Sequence, residues 1–308
     1  MIQVTEDLIA AVKRKTLAPI AQITFQNQDI VNILNEEMEN RLVPDVQKVR
    51  ENFFLTSKQV PIEAGNRLVG IPSRAIAGAF KDVFVIDTGG NRYPLNQGKL
   101  SELHYGSTSG NGAPGTYIVQ GDQIRLDVAP ATAGYFVEFW YYNRPSKLVL
   151  STECSTIVSV TDNGDGTSTI STDIDLSTSL TISDKIDVLT QSYPIKLYLE
   201  SIQIIAIAGQ GITVATSALT SAPAVGDLVA LEGFTNSPML PPEMHPVLTQ
   251  MGAAAIVESM GDVQKLQIVN AKLAEIREGA MSLIANRVEN DPQTISRARN
   301  GLNRWGCR

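Results

Sequence analysis

Residues that usually carry catalysis or bind metals are scarce in this chain. Its 308 residues include two cysteines, Cys154 and Cys307, and two histidines, His104 and His245. The cysteines lie far apart without metal-ligand spacing, which favours free thiols in a reducing compartment over a disulfide. No serine nucleophile motif, Cys/His pair or His-Glu-x-x-His motif occurs. We therefore predict no catalytic residue, metal site or cofactor, although a carboxylate pair in the β region stays open as an enzymatic route.

Long apolar stretches are also missing. A membrane-spanning helix needs about 20 apolar residues, and the longest apolar run, residues 202–212, is interrupted by Gln203 and Gln210. The first residues carry no basic segment of the kind that opens a signal peptide. The sequence thus predicts a soluble protein that is made and used without export and contacts no membrane.

Charge is sparse and unevenly distributed. Residues 151–237 contain ten acidic residues against Lys185 and Lys196, a net charge of −8, whereas residues 287–308 contain five arginines against two acids, a net charge of +3. An acidic body with a basic end argues against wrapping nucleic acid, which needs a broad cationic face. It favours a tail that docks onto an acidic protein surface, with a merely solvated basic end as the alternative.

Helical periodicity at both ends, with strand periodicity between them, indicates an α+β fold. We predict a helical bundle formed by N- and C-terminal helices, an antiparallel β domain and a second inserted all-β module. The turn-forming sequences that flank this module predict that it can be removed without unfolding the rest. The predicted boundaries are 1–52 for the N-terminal helices, 53–150 for the antiparallel β domain, 151–237 for the Ser/Thr-rich acidic module, 238–290 for the C-terminal helical pair and 291–308 for a basic docking tail.

Capping residues predict where the N-terminal helices begin. Thr5 is the expected N-cap of a helix over residues 6–15, and Asn27 or Thr24 is the expected cap of a second helix. We expect Pro44 to interrupt or kink the second helix. Its predicted buried stripe contains Ile30, Ile33, Leu34, Met38 and Leu42.

The C-terminal helices are predicted in the same way. A helix over residues 243–260 is expected to stop at Gly261, and Asp262 is expected to cap a long helix that reaches about Val288. The apolar positions expected to form the buried stripe of the long helix are Val263, Leu266, Val269, Leu273, Ile276, Ala280, Leu283 and Ile284.

From residue 53 the apolar period changes to two. Residues 116–145 are typical of a strand, a Gly121-Asp122 turn, a second strand, a break and a third strand that is apolar on both faces. We therefore expect this meander to form the centre of one sheet. Earlier strands are predicted near 53–60, 66–71, 82–87 and 91–95, and those of the acidic module near 156–161, 168–174, 185–190, 195–199, 201–207 and 227–231.

Three motifs resemble ligand sites but fit other roles better. Residues 110–115 match a dinucleotide-binding glycine pattern, yet strand-like sequence follows where a helix is needed, so we expect a mobile loop. Residues 162–166 are expected to form a hairpin turn, because an EF-hand with Gly166 as its turn glycine would have Thr161 and Thr172 at its first and twelfth ligand positions; a calcium site of another kind is the alternative. His245 follows Glu243 at a helix start, and packing and capping there are favoured over metal binding.

Four passages resemble the head-to-tail adaptor, or connector, proteins of short-tailed bacteriophages. Residues 25–37 are similar to the first long helix of that family, and residues 71–75, Ile-Pro-Ser-Arg-Ala, resemble the segment that joins its early strands. Residues 117–145 are similar to its central meander, and residues 240–248 resemble the start of its C-terminal helical pair. Residues 151–237 stand outside the resemblance, since the compact members of that family lack such a module.

The resemblance implies a structural virion protein rather than an enzyme, assembled in the host cytoplasm and located at the portal vertex. It would form a ring, usually of twelve copies, between the portal protein and a tail or fibre protein, with DNA passing through without sequence-specific binding. In such rings the C-terminal tail commonly reaches the portal, and arginine and tryptophan are enriched at binding hot spots. The candidate portal-docking residues in this chain are Ile295, Arg297, Arg299, Leu302, Arg304 and Trp305.

A second class of protein stays open at this point. A β-rich tail protein that binds or cleaves host surface carbohydrate would suit the Ser/Thr-rich module and the aromatic residues Trp140, Tyr141 and Tyr142. Core packing is the simpler explanation for these aromatic residues, because they lie on a densely apolar strand.

Overall fold

The chain is an α+β protein, as the two apolar periodicities predict. Its computed structural model describes residues 3–16, 25–99, 114–192, 195–219 and 221–285. Helices lie toward both ends of this part of the chain, and two four-stranded sheets and a closed six-stranded barrel lie between them. No helix in these ranges is both long and apolar enough to cross a membrane.

The N-terminal helices carry apolar residues at helical spacing. They are α1 (Thr5–Thr16), α2 (Asn27–Glu37) and α3 (Val43–Val49), with a π-helical turn, Met38–Leu42, between α2 and α3. A proline has no N–H and its ring crowds the carbonyl four residues earlier. The wider π turn just before Pro44 lets the chain continue into α3, so the expected interruption takes this form.

The residues that begin the first two helices differ from the predicted caps. Thr5 is the first residue of α1, and its hydroxyl donates to the carbonyl of Asn236 at 2.8 Å. Asn27 is the first residue of α2, so Gln26 is its cap, and Asp29 accepts a hydrogen bond from the Gln26 N–H at 2.9 Å. Local sequence could not reveal the bond from Thr5, because its acceptor lies 231 residues away. Thr24 lies outside the described residues.

Nine strands follow the N-terminal helices in the described part of the chain. Eight of them form two four-stranded sheets, with the orders β1-β8-β3-β4 and β2-β7-β6-β5. Neighbours within these sheets are antiparallel, apart from the parallel pair of β5 and β6. The strands are β1 (Leu55–Ile62), β2 (Leu68–Gly70), β3 (Ala75–Ile86), β4 (Arg92–Pro94), β5 (Asn96–Gln97), β6 (Thr116–Gln120), β7 (Gln123–Leu126), β8 (Tyr135–Asn143) and β9 (Lys147–Leu148).

The predicted meander is divided between these two sheets, so the expectation of one central sheet was wrong. The hairpin of β6 and β7 turns at Gly121, with φ 65°, and pairs with β2, whereas β8 lies between β1 and β3. The break before β8 lets the chain change sheets. Val137 and Phe139 on β8 then pack with Ile124 and Leu126 on β7 in one buried cluster shared by both sheets.

The acidic region forms a closed antiparallel barrel with the order β10-β11-β14-β13-β12-β15. The prediction missed β14 and divided β13 in two. Ser201 lies at that predicted division, with φ 58°, and an extra residue bulges there against β12. The strands are β10 (Cys154–Asp162), β11 (Thr167–Thr172), β12 (Lys185–Leu189), β13 (Leu197–Ala208), β14 (Gly211–Ala215) and β15 (Leu228–Leu231).

A short strand returns the chain from the barrel to the helices. This strand, β16 (Phe234–Thr235), pairs in parallel with β9, so the two segments that flank the barrel lie side by side. Helices α4 (His245–Ser259) and α5 (Val263–Ile284) follow. Asp262 caps α5 as predicted, accepting the Lys265 N–H at 3.0 Å, while Val288 lies outside the described residues.

Helix α4 is the most deeply buried helix described. Eleven of its fifteen residues are buried, and its apolar residues point in all directions. Leu248 and Met251 of α4 share a buried cluster with Leu8 of α1, Leu34 of α2 and Ile284 of α5. The cluster therefore joins helices from both ends of the chain.

Helix α5 is much less buried than its apolar stripe predicts. Only Val269, Ala280 and Ile284 are buried, whereas Val263 is 65% and Leu283 59% exposed. Leu266, Leu273 and Ile276 are half-buried. The helix packs mainly along α4, so the outer parts of the stripe have no neighbour within the described chain.

Candidate functional site

The residues predicted to dock onto a portal fall outside the described residues. These are Ile295, Arg297, Arg299, Leu302, Arg304 and Trp305. His104, Cys307 and most of the glycine-rich loop lie outside as well. From that loop the structure describes Gly115, which leads directly into β6 rather than into a helix.

The predicted hairpin turn in the acidic module is confirmed. Asp162 accepts the Gly164 N–H at 3.0 Å, and Asp165 accepts the N–H and hydroxyl of Thr167, so both carboxylates are used within the turn. Gly164 and Gly166 have φ values of 76° and 84°, which glycine adopts without strain. The turn thereby sets the register of β10 and β11.

His245 is a packing residue at the start of α4. Its side chain is 2% exposed, and neither ring nitrogen has a good hydrogen-bond partner. Burial lowers its pKa to about 4, against the opposing influence of the Leu240 carbonyl and the Glu243 carboxylate. It makes no capping bond, so only the packing part of its prediction is confirmed. Within the described ranges, no group of three His, Cys, Asp or Glu residues is arranged to hold a metal ion.

Cys154 begins the first barrel strand as a buried free thiol. Burial raises its pKa to about 12, so the thiolate that reacts with oxidants or electrophiles is scarcely populated. Its side chain belongs to the small apolar cluster that contains Val149, Leu228 and Met239. Cys154 therefore acts as a small core residue.

A buried ion pair joins the barrel to the first sheet. Arg74, immediately before β3, donates from Nη1 to Oδ2 of Asp187 on β12 at 2.7 Å, and the two side chains are 7% and 0% exposed. Arg74 also donates from Nη2 to Ser146 Oγ at 2.6 Å and to the Arg144 carbonyl at 3.2 Å. One guanidinium group thus connects β3, the segment before β9 and the barrel.

Asp187 accepts three hydrogen bonds, and both of its carboxylate oxygens are used. Its Oδ1 accepts the Ser201 N–H at 2.9 Å, and its Oδ2 accepts the Gly233 N–H at 2.8 Å in addition to Arg74. Burial raises the pKa of Asp187, while these two N–H groups and the guanidinium oppose the rise. Breaking such a pair leaves an uncompensated buried charge. The ion pair therefore resists displacement of the barrel relative to the sheets.

A second ion pair lies on the same side of the joint. Lys58 on β1 is 2.8 Å from Glu200 on β13, next to the bulge at Ser201. The hydroxyl of Ser201 donates to Glu232, beyond the end of β15. The bulge at Ser201 thus directs a backbone N–H to Asp187 and a hydroxyl to Glu232.

Comparison with known families bears directly on this arrangement. Residues 5–170, more than half of the chain, match the SU10 adaptor protein family. The chain belongs to that family. No curated protein matches it. This adaptor is accordingly a structural protein of a phage virion, and its family implies assembly with portal and tail components rather than catalysis.

The matched part of the adaptor runs from the start of α1 to Ile170 in β11. It contains three of the four passages that suggested the resemblance, and it ends before the fourth, residues 240–248. It also includes the first strand of the barrel and most of the second, which the resemblance had left outside. Arg74 lies within the match and its partner Asp187 beyond it.

The ion pair at the joint was missed in the sequence. Residues 71–75 resemble a family segment, and this resemblance implies no role for Arg74. The one usable signal was Asp187, a carboxylate in the otherwise apolar strand Ile-Asp-Val-Leu. A charged residue at such a position is rarely buried without a partner. The partner itself could not be named, because it lies 113 residues away.

Proposed function

We propose that this adaptor forms a ring between the portal protein and the tail of a tailed phage, and that its C-terminal tail anchors the ring. Family membership is the observation that carries the proposal. In the complete virion this ring would lie at the portal vertex. Its assembly would take place in the host cytoplasm. Twelve copies, with DNA passing through the ring, is the arrangement proposed by resemblance.

The packing of the helices supports a rigid body for such a ring. We propose that α1, α2, α4 and α5 act as one helical bundle, since all four contribute to one buried cluster. Arg277 on α5 donates to Asp45 on α3, and Lys265 on α5 donates to the Thr16 carbonyl at the end of α1. These bonds tie α5 to helices from the opposite end of the chain.

The C-terminal tail is the proposed portal contact. Its arginines can form bidentate bonds with carboxylates, and Trp305 can fill an apolar pocket. A short segment with few apolar residues cannot fold alone, so the ordering cost would be offset only by a few strong anchors. Ile295 and Leu302 are the remaining candidates for those anchors.

The experiment is truncation after Pro292, with binding to the portal protein of the same phage as the readout. We expect the truncated protein to stay folded by circular dichroism and to lose portal binding. A matched full-length variant, Arg297→Gln/Arg299→Gln/Arg304→Gln, separates charge from Trp305. Unchanged portal affinity after truncation would contradict anchoring by the tail and direct attention to the helical region. Electron microscopy of the wild-type complex tests the ring itself.

The carbohydrate-binding alternative loses its main support in the structure. Arg92 lies over the rings of Phe84 and Trp140, at 3.7 and 5.6 Å from their centroids, and pairs with Glu138 at 2.8 Å. Tyr142 donates its hydroxyl to Glu51. These aromatic side chains are engaged within the sheet rather than presented as a free stacking platform.

A further inference from the structure

Five basic side chains lie in the last turn of α1 and the first ten residues of α5. Lys15 reaches α4, where its Nζ lies 2.6 Å from Thr249 Oγ1 and 3.1 Å from the Pro246 carbonyl. Lys265 of α5 donates to the carbonyl of Thr16, the residue next to Lys15. We call this group the cationic cluster; its members are Lys13, Arg14, Lys15, Lys265 and Lys272.

The cationic cluster is not neutralised within the described chain. Lys13 donates to the Asn27 side-chain carbonyl at 2.7 Å and Arg14 to the Ala10 carbonyl at 3.3 Å, so these partners, like those of Lys15 and Lys265, are neutral oxygens. Among the described residues, no carboxylate lies within 4 Å of any member. The segment that follows α1, residues 17–24, contains no charged residue.

The carboxylates at the starts of α2 and α5 are already used in capping those helices. Asp29 accepts the Gln26 N–H at 2.9 Å, and Asp262 accepts the Lys265 N–H at 3.0 Å. Burial, followed by repulsion from Lys272 and Arg14, lowers the pKa of Lys15 to about 8. The C-terminal end of α1 offsets part of this repulsion, because carbonyl groups there carry partial negative charge. An added anion would relieve the remainder.

We propose that the cationic cluster of one copy binds the acidic barrel of a second copy. This inference rests on the proposed ring and names the surfaces that would hold neighbouring subunits together. Residues 151–237, which contain the barrel, carry a net charge of −8, so the chain itself supplies the complementary partner. Charge complementarity of this kind selects partners and fixes orientation more than it adds affinity.

The barrel offers exposed acids at its turns. Asp162 and Asp165 lie in the β10–β11 hairpin and are exposed. Hydrogen bonds from the side chain and backbone of Thr167 lower the pKa of Asp165, and bonds from Ser177 lower that of Asp175. Asp165 and Asp175 therefore stay ionised at neutral and mildly acidic pH. The exposed acids at the turns of the barrel are the groups that the cationic cluster would meet.

The barrel of the same copy is not positioned to make this contact. The first residue of α1 bonds to Asn236, just beyond the barrel, and the helix runs for 12 residues from there to Thr16. At 1.5 Å per residue the cluster lies roughly 18 Å from that end. Two different patches at separate places on one chain make a head-to-tail contact, which closes into a ring when the rotation permits.

A protein partner is favoured over DNA by the rest of the surface. DNA binding needs a broad cationic face, whereas this chain has a net charge of −7 and its barrel would repel phosphates. Three of the five cations are also half-buried and already hydrogen-bonded, which suits a defined contact better than a sliding one.

The test is charge reversal followed by mixing. Arg14→Glu/Lys272→Glu reverses the cationic cluster, and Asp162→Lys/Asp165→Lys reverses the hairpin. We expect each variant to weaken self-association, measured by sedimentation velocity and by binding to immobilised wild-type chain, by at least about tenfold. Mixing the two variants should restore association, because glutamates then face lysines. Wild-type association should weaken as salt is raised.

Two controls separate charge from folding. Arg125→Glu/Arg144→Glu makes the same charge change at exposed positions elsewhere and should leave association unchanged. Asp162→Asn/Asp165→Asn removes the hairpin charge while keeping an oxygen acceptor for the turn, and should weaken association without lowering the melting temperature appreciably.

Three results would overturn the inference. The first is that the wild-type protein does not self-associate at low salt and high concentration. The second is that neither charge reversal changes self-association. The third is that reversal of the cationic cluster abolishes binding to a short DNA duplex but leaves self-association intact. Rings on the portal that tolerate both reversals would refute this contact alone. Absence of rings even on the portal would also refute the proposed function.

Discussion

Arg74 Nη1 lies 2.7 Å from Oδ2 of Asp187, across 113 residues of sequence, and both side chains are buried. The pair connects a strand of the family-matched region to a barrel strand that lies beyond the match. Removing either member would leave an uncompensated charge buried at the joint.

Replacing Arg74 by Met should destabilise the protein strongly. Asp187 would remain buried with two N–H donors but without its counter-charge, so we expect a loss of about 3–5 kcal/mol in the free energy of unfolding. Urea denaturation followed by circular dichroism measures this loss. Lys58→Met, at the more exposed second pair, is the control and should cost about 1 kcal/mol or less. Equal losses in both variants would contradict a special role for Arg74.

Replacing the barrel by a flexible linker should also lower stability, because it separates Arg74 from Asp187. The sequence predicts that residues 151–237 can be removed, yet removal takes away Asp187, the counter-charge of Arg74. We expect the shortened protein to keep its helical signal but to melt earlier, and we expect Arg74→Met to raise its melting temperature. If Arg74→Met lowers it further, the guanidinium finds another partner and the ion pair is not the main link.

A side chain at Gly252 should strain the packing of α4 against α1 and α2. A Cβ atom there would lie 2.8 Å from Leu34 Cδ2 and 3.4 Å from Val12 Cγ2, at the crossing of α4 with α1 and α2. We expect Gly252→Ala to lower the free energy of unfolding by about 1–3 kcal/mol, and Leu34→Ala in the same chain to relieve part of the clash. The matched control is Gly279→Ala on α5, which meets nothing within 4 Å and should stabilise by up to about 1 kcal/mol.

Acid should weaken the fold through His245. Its pKa is about 4 in the folded protein, below the ordinary value of about 6.5 expected after unfolding. The unfolded chain therefore binds more protons between these values, so stability falls as pH drops through this window and levels off below it. The contribution is about 3 kcal/mol. His245→Phe should have a shallower dependence of unfolding free energy on pH; identical slopes would contradict the assignment.

Cys154 should react with thiol reagents only after unfolding. Its thiol is buried and burial raises its pKa to about 12, so little thiolate forms in the native state. In a Cys307→Ser variant, which leaves Cys154 as the single thiol, labelling with a chromogenic disulfide should follow the unfolding rate. Rapid labelling of the native variant would show that the barrel opens at β10.

Local sequence determined the helices and turns of this protein. The apolar period of 3.6, Asp262 as a cap and the glycines of the two hairpins act through neighbours a few residues apart, so their consequences could be predicted. The overall α+β class followed from the same local patterns. The family resemblance likewise rested on short passages, three of which fall within the matched residues.

Tertiary structure alone decided the sheet partners, the joint and the open side of α5. The meander divided because β8 pairs with β1 and β3, while β7 pairs with β2, and these pairings depend on contacts between distant segments. Arg74 pairs with Asp187, and Thr5 bonds to the carbonyl of Asn236, across more than a hundred residues of sequence. A periodic pattern reveals which face of a helix is apolar, but the available neighbours decide how much of it is covered. On α5 they leave Val263, Ile268 and Leu283 exposed, because α4 covers only one side of the helix.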